Sequence, residues 1–502
     1  MDFENTAAAL AALRNWEQTM AAYNHAEGVL YLDATTVAPK DTWEGRGRTM
    51  EILSKIIYEL NTKEENGQIL TYLEQHINEL DPQAKREVEV ARKYFDRTRR
   101  VPADEYVAYS VLLNDAQAVW ADAKNDNDFA RFAPYLEKIV ETNRKFARYY
   151  NPEMDPYDSL LNEYEEGLNT ATLDDFFEQL RQTIVPLLKK VKQAEPIDDS
   201  FLFRHYPIEK QRIFSDYLME VLEMDRSHCT IAETEHPYTT NFNNKDVRIT
   251  THYYEDALAS SMYSVIHEGG HGIYELQCDD CYNYSILSGG ASMSIHESQS
   301  RFFENIIGRS KPFCEMIFPK VKELFPEQLE DVDAQMFYRA VNKAQPSLIR
   351  VDADELTYCF HIMVRYEIEK KLIAGTLSVS EVPGAWNRLY QEYLGIEVPN
   401  DKEGCLQDSH WSGGMIGYFP SYALGSAYGA QMLHDMQQEL GDVIGRIAEG
   451  GMSQVKQWLK EHIHRHANFY KPGELFEQTC GKFDAKYFTE YLINKYTELY
   501  HL

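Results

Sequence analysis

Two histidines bracket an acid in the segment His267-Glu268-Gly269-Gly270-His271. On a helix the two imidazoles project from nearly one face, about one turn apart, and both can reach a single zinc ion at about 2.0–2.1 Å. Glu268 is rotated about 100° from His267, so its carboxylate addresses a water on the metal and not the metal itself. Such a centre hydrolyses: the metal acidifies the water, and Glu268 takes its proton and hands it to a leaving amine. The competing reading is a pair of surface histidines. Against it, Gly269 and Gly270 each cost about 1 kcal/mol in a helix interior relative to Ala, which points to something approaching the helix closely.

A catalytic zinc needs a third protein ligand and one open position. The metzincin extension would place a Gly and a His where this chain has Tyr274 and Gln277. Glu275 shares the histidine face but lies about 12 Å along the helix from His267, too far for one ion. Thermolysin-like and aminopeptidase-like spacings end near Gly290 or Ala291, which carry no ligand atom. Glu297, on a second helix after a loop long enough to reverse the chain, is the best candidate, with Glu304 the less favoured substitute. His296 points about 100° away from Glu297 and reads as a supporting residue. Two His and one Glu accept Zn2+, with Co2+ or Mn2+ as possible substitutes.

These residues have to be positioned by a chain of 502 residues carrying 50 Lys+Arg against 80 Asp+Glu, a formal charge of −30. Hydrophobic residues make up 44%. That balance excludes disorder as the main state, and the missing basic patch argues against nucleic acid or an anionic membrane as partner. No window reaches about 18 consecutive apolar residues, and the N-terminus lacks an export signal. Seven cysteines form no disulfide framework, and Cys278 and Cys281 have knuckle spacing without a second pair, so a reducing cytoplasm is expected.

To about residue 230, apolar residues recur at helical steps, with breaks at Val101-Pro102, Asn151-Pro152 through Asp155-Pro156, and Glu195-Pro196. Residues 236–250 predict a β-hairpin about Asn243-Asn244, with Val247 and Ile249 on a buried face and Asp246, Arg248 and Thr250 on the other. A short edge strand beside a cleft can pair with an extended peptide. Helical periodicity returns after about residue 254, interrupted by Ser288-Gly289-Gly290 and Ser412-Gly413-Gly414. The expected fold is mostly α, one unit over 1–502, with a small β-hairpin or sheet beside the active site.

Six short segments in one order then carry a resemblance. They are His236-Pro237-Tyr238, Asp246-Val247-Arg248-Ile249-Thr250, the His267–His271 motif, His296-Glu297-Ser298-Gln299, Ile349-Arg350-Val351-Asp352-Ala353-Asp354, and Gly404-Cys405-Leu406-Gln407-Asp408-Ser409-His410-Trp411. Through them the chain resembles the carboxypeptidase Taq family of metallocarboxypeptidases over most of its length. The resemblance implies a cytoplasmic homodimer, mostly helical, with a deep groove, that removes C-terminal residues from peptides with zinc or cobalt. It also implies a fold similar to the thimet-oligopeptidase type of helical metallopeptidase, with residues 1–230 as groove wall and lid and 231–502 as the catalytic region. The chain departs from the family at Tyr238, where Phe is usual, and at Tyr31-Leu32-Asp33-Ala34, where Tyr-Trp-Asp-Gln is common. Tyr238 is expected to fill the same aromatic slot, and the second departure bears on the lid.

A carboxypeptidase must hold a free α-carboxylate, which a planar guanidinium grips bidentately. Arg350 is the first choice and Arg248 the second, with a salt bridge to Asp246 as the alternative use of Arg248. His236, Tyr238, Gln407 and Asp408 complete the expected substrate-binding set. His410, its tautomer fixed by Asp408, and Tyr422 in preference to Tyr418, are the expected donors to the developing oxyanion. Asp352 and Asp354 are read as orienting or helix-capping groups. An oligoendopeptidase cutting internal bonds is the alternative enzyme, and a non-catalytic metal-binding protein the alternative outside enzymes. The partners expected are peptides with a free C-terminus.

Overall fold

The computed structural model describes residues 3–502, and helix dominates it. Among the described residues, the first half runs through nine α-helices, α1 (Thr6–Thr36), α2 (Trp43–Thr62), α3 (Glu64–Gln75), α4 (Pro82–Arg100), α5 (Ala103–Asp126), α6 (Phe129–Tyr150), α7 (Pro156–Leu161), α8 (Thr170–Val191) and α9 (Ile208–Val221). Strands β1 (Cys229–Glu233), β2 (Thr239–Asn243) and β3 (Asp246–Thr251) follow. The second half contains α10 (Leu258–Gln277), α11 (Met293–Arg301), α12 (Lys311–Leu324), α13 (Ala334–Val341), α14 (Tyr358–Ala374), α15 (Val382–Tyr393), α16 (Pro420–Leu440), α17 (Gly451–His462), α18 (Pro472–Cys480) and α19 (Lys486–Tyr500). The predicted breaks fall between α4 and α5, between α6 and α7, and after α8, where Pro denies the next turn its N–H donor.

The expected hairpin is β2–β3, antiparallel, with an irregularity between Asn241 and Asn243. A further strand, β1, pairs parallel to β3, so the order is β1-β3-β2 and β2 is an edge. Val247 and Ile249 are fully buried against α10, as alternation requires. Thr250 is buried too, against expectation, because the Tyr238 backbone covers it: its hydroxyl donates to the Tyr238 carbonyl at 2.8 Å.

The apolar core is in two pieces. Ala9 and Leu13 of α1, Ile69, Leu70 and Leu73 of α3, and Ala84, Val88, Ala91 and Phe95 of α4 form a small one near the N-terminus. The large one runs from Ala116 to Tyr500 and surrounds α10, α11, α14 and α16. Within it, three helices pass at glycine distance. A Cβ on Gly270 of α10 would stand 2.7 Å from the Gln299 carbonyl and the Ser300 Cα of α11, and one on Gly425 of α16 would stand 2.7 Å from the Glu297 side chain. These two glycines let α11 lie between α10 and α16 with Glu297 facing the histidines, which accounts for Gly270 in the His267–His271 motif; a Cβ on Gly269 would instead stand 2.7 Å from the Leu222 side chain.

Gly270→Ala should therefore destabilise the protein by about 1–3 kcal/mol in chemical denaturation, because backbone and not a flexible side-chain end must move. Gly45→Ala, on exposed α2 with nothing within 4 Å of the new methyl, should be neutral or stabilising.

Candidate active site

His267 and His271 project from α10 toward Glu297 of α11. Their Nε2 atoms lie 3.7 and 3.5 Å from Glu297 Oε2, and one donor atom from each of the three residues falls within 4.8 Å of the others. Two nitrogens and one oxygen converging on one point, with every other edge of the three groups already bonded, is a donor set that fits a divalent ion.

The other edges are held as follows. The Glu304 carboxylate accepts from His267 Nδ1 at 2.8 Å, which makes Nδ1 the protonated nitrogen and leaves the Nε2 lone pair bare. His271 is fixed by a longer relay. Glu275 accepts from His296 Nε2 at 2.7 Å, and His296 Nδ1 in turn accepts from His271 Nδ1 at 2.6 Å, so His271 also presents a bare Nε2. Glu275 is anchored by the Asn241 side-chain amide of β2 at 2.6 Å and by the Gly290 N–H at 3.1 Å. A side chain at Gly290 would strike His296 and Tyr274, which explains the glycine turn preceding α11. On Glu297, Arg301 one turn along donates to Oε1 at 2.7 Å, leaving Oε2 toward the imidazoles.

The helix changes pitch after Arg301 into a π-helical stretch, Phe302–Ile307, and this segment carries Glu304. Arg301 and Arg309 flank the Glu304 carboxylate at 3.3 Å each. Burial works against ionisation of Glu304, but the two guanidiniums and His267 outweigh it and hold its carboxyl at about 2. Burial likewise opposes a charged His267, and Glu297 and Glu304 outweigh it, raising its pKa, whereas His271, buried beside other imidazoles, falls to about 3.

Glu268 is 7% exposed, and its Oε2 accepts from the Thr239 hydroxyl of β2 at 2.7 Å. Burial raises its pKa above the ordinary carboxylate value, the direction that suits a group alternating between base and acid.

Across the cleft, the 404–418 loop and the start of α16 bring up the other predicted residues, with corrections. His410 Nε2 lies 3.2 Å from the Tyr422 hydroxyl, and Tyr418 stands edge-on to Tyr422. Burial lowers the His410 pKa to about 4, so its imidazole is uncharged at neutral pH. Asp408 does not fix the His410 tautomer: it is bonded between Arg350 and Arg365, and His410 Nδ1 has no partner. Two buried guanidiniums outcompete a neutral imidazole for one carboxylate. Gln407 is consumed structurally. Its oxygen accepts from the Arg350 N–H at 2.9 Å and Arg365 Nη2 at 2.8 Å, and its amide donates to the Leu348 and Glu403 carbonyls. No edge of Gln407 is left for substrate.

Arg350 spends its Nε–Nη2 edge on Asp408 and one Nη1 hydrogen on the Tyr358 hydroxyl at 3.1 Å, while its guanidinium lies 5.1 Å from the Tyr422 ring centre. One N–H on each terminal nitrogen remains. Arg248 takes the alternative use: Nε and Nη2 grip both Asp246 oxygens at 2.8 and 2.9 Å, with Phe242 stacked beneath. His236 is exposed in the turn before β2. Tyr238 fills an aromatic slot against Tyr31, and its phenol meets Thr35 of α1 at 2.7 Å, so the first departure from the family pattern packs on the helix that carries the second. Asp354 caps a turn through Thr357, as expected.

Sequence reasoning missed Thr239, Arg301, Arg365 and Glu369. Arg301 carried a signal, its spacing of four residues from Glu297 on one helix. Glu369 of α14 accepts from Trp411 Nε1 at 2.7 Å, Gly417 N at 2.8 Å and Tyr157 at 2.9 Å, pinning the loop that carries His410.

A profile of the carboxypeptidase Taq (M32) metallopeptidase family matches residues 12–496. Carboxypeptidase 1 of Bacillus subtilis (strain 168) is 40% identical over 482 residues, 96% of each chain. Thermostable carboxypeptidase 1 of Thermus thermophilus is 34% identical, covering 93% of this chain and 94% of that one. The crystal structure of the M32 carboxypeptidase from Deinococcus radiodurans R1 superposes with a TM-score of 0.96 at 35% identity, over 98% of this chain and 100% of that one. The chain belongs to the carboxypeptidase Taq (M32) family of metallopeptidases. It is a metal-dependent carboxypeptidase, a peptide hydrolase, and the oligoendopeptidase alternative is not favoured.

Two outcomes follow from these contacts. Glu304→Gln, which keeps the shape but weakens the hold on His267 Nδ1, should lower metal affinity by about 10–100-fold in chelator competition. Burial raises Glu369 from 4.5 to about 7, so its contribution to stability is full below about pH 4.5 and lost as pH rises through about 7. In urea unfolding at pH 5 and pH 8, Glu369→Gln should show a smaller loss across that interval than the parent.

Proposed function

We propose that His267, His271 and Glu297 hold the divalent ion, zinc in the first instance with Co2+ or Mn2+ accepted, and that Glu268 is the general base and then acid. The observation that carries this reading is the convergence of two bare Nε2 atoms and one Glu297 oxygen, with the Glu268 carboxylate next in sequence. When bound there, such an ion supplies Lewis acidity to water and to the scissile carbonyl.

The chain's own groups do the rest. The Thr239 hydroxyl holds Glu268 Oε2, so the carboxylate faces the attacking water at a fixed angle. Glu268 removes one proton from that water and returns it to the departing amine nitrogen, which balances the hydrolysis. The Tyr422 hydroxyl, with His410 Nε2 behind it, donates to the oxygen that gains charge. The two remaining N–H groups of Arg350 take the terminal carboxylate. The peptide upstream of the scissile bond adds to the free edge of β2 as an extended strand.

The unit is the whole chain, 1–502, with residues 1–230 forming groove wall and lid and 231–502 the catalytic region; the Tyr238–Thr35 contact joins the two. It works as a cytoplasmic homodimer on peptides, with no nucleic acid or membrane partner. All seven cysteines are free, in keeping with a reducing compartment, and among the described residues no helix is long and apolar enough to cross a membrane.

A mass-spectrometric time course on one mixed-sequence peptide tests the reading. Products should shorten from a free C-terminus and be absent when that terminus is amidated. Glu268→Gln should lose about 10²–10⁴-fold in kcat while keeping its metal. Internal cuts in the amidated peptide, or full activity in the Gln variant, would overturn it.

A further inference from the structure

We propose that Tyr358 is a positioning residue for the carboxylate grip: it holds Arg350 in one orientation and at one distance from Glu297. This step rests on the reading of Arg350 given above.

The segment from Arg350 to Tyr358 closes on itself. Arg350 opens a single 3-10 turn, Arg350–Asp352. Asp354 then caps the start of α14, accepting from the Thr357 N–H at 3.0 Å and from the Thr357 hydroxyl at 2.8 Å. Tyr358 is the first residue of that helix, and Nη1 of Arg350, eight residues earlier, donates to its phenol oxygen at 3.1 Å. Asp408 grips the Nε–Nη2 edge of the same guanidinium. A grip on one edge leaves the plane free to tilt about it, and the phenol supplies the contact off that edge.

That the holding group is neutral matters as well. Asp408 is shared between Arg350 and Arg365, so two guanidiniums meet one carboxylate and one positive charge stays unanswered. Burial outweighs the pull of Arg301 and Arg350 and raises the Tyr358 pKa above its usual value, so the phenol is uncharged. It holds Arg350 without cancelling the charge that a terminal carboxylate seeks.

The ring carries the other constraint. Arg301 lies over it, 4.2 Å from its centre, and donates to Glu297 Oε1 at 2.7 Å. One rigid side chain, 5% exposed, thus stands between the guanidinium that holds Glu297 and the guanidinium that takes the substrate carboxylate. The separation of those two points decides which peptide bond a bound C-terminus brings to the His267, His271 and Glu297 donors.

The test uses a tetrapeptide whose last peptide bond is reduced to CH2–NH, made as the free acid and as the amide, with inhibition constants measured against a common peptide substrate. The amide-to-acid ratio isolates the carboxylate contact. In the parent it should be about 100-fold or more, and Arg350→Ala should bring it near one. Tyr358→Phe keeps the ring and removes the hydroxyl. It should weaken the acid by about tenfold, leave the amide within about twofold, and add nothing in the Arg350→Ala background. A ratio that stays high in Arg350→Ala overturns the reading of Arg350, and this proposal with it. A ratio near one there but unchanged in Tyr358→Phe overturns this proposal alone, and so does an equal weakening of acid and amide, which marks a structural defect. A further loss of acid binding in the Arg350→Ala background overturns the positioning role, because Tyr358 then touches the carboxylate itself. Should Tyr358→Phe not fold, Arg301→Lys, which keeps a charge beside Glu297 and removes the planar group from the ring, should lower the ratio severalfold, and an unchanged ratio counts against the proposal.

Discussion

The carboxylate-to-imidazole hydrogen bond is the constraint on which the site depends. An imidazole is a metal ligand only through a bare nitrogen, and which nitrogen is bare is decided by what the other one does. Here Glu304 settles it for His267 directly, and Glu275 settles it for His271 through His296. Glu275 is buried and Glu304 nearly so, and each needs its own compensation. Arg301 and Arg309 provide it for Glu304, and a β2 side chain and the Gly290 amide provide it for Glu275. The demands of two protons thus reach outward into a π-helical segment, a glycine turn and the edge of the sheet.

Backbone proximity is the second requirement, and it explains why the histidine helix tolerates glycine. Glu297 can face both Nε2 atoms only if α11 lies against α10 and α16 without intervening side chains, and Gly270 and Gly425 remove those side chains. On the far wall, α14 presents Arg365 and Glu369 inside the core. Arg365 fixes Asp408 and Gln407, and Glu369 fixes Trp411 and Gly417, so the loop bearing His410 is clamped at both ends. One polar stripe on a buried helix therefore positions the second half of the site, at the cost of a charge balance that responds to pH.

Much of this was legible in the sequence, and what was not has physical reasons. The helical period, the proline breaks and the Asn243-Asn244 turn are local properties and appear where expected. Strand β1 is five residues pairing in parallel with a partner beyond β2, so no local pattern announces it. The three residues that converge on a metal position follow from angular spacing on a helix plus elimination of donors out of reach. Residues whose roles depend on competition read less well: Asp408 prefers two guanidiniums to His410 and Gln407 is saturated by backbone and Arg365, while Arg248 takes the Asp246 bridge that the sequence offered as its alternative. Such choices are made among groups far apart in the chain, and only the folded arrangement shows which partner wins.

X-ray absorption at the zinc edge of the loaded protein tests the central claim most directly, because it tells sulfur from nitrogen or oxygen ligands and counts imidazoles by their outer-shell scattering. The account predicts nitrogen and oxygen neighbours only, at about 2.0–2.1 Å, with outer-shell scattering from two imidazoles. A sulfur shell near about 2.3 Å, or scattering from three imidazoles with His296 drawn onto the metal, would contradict it.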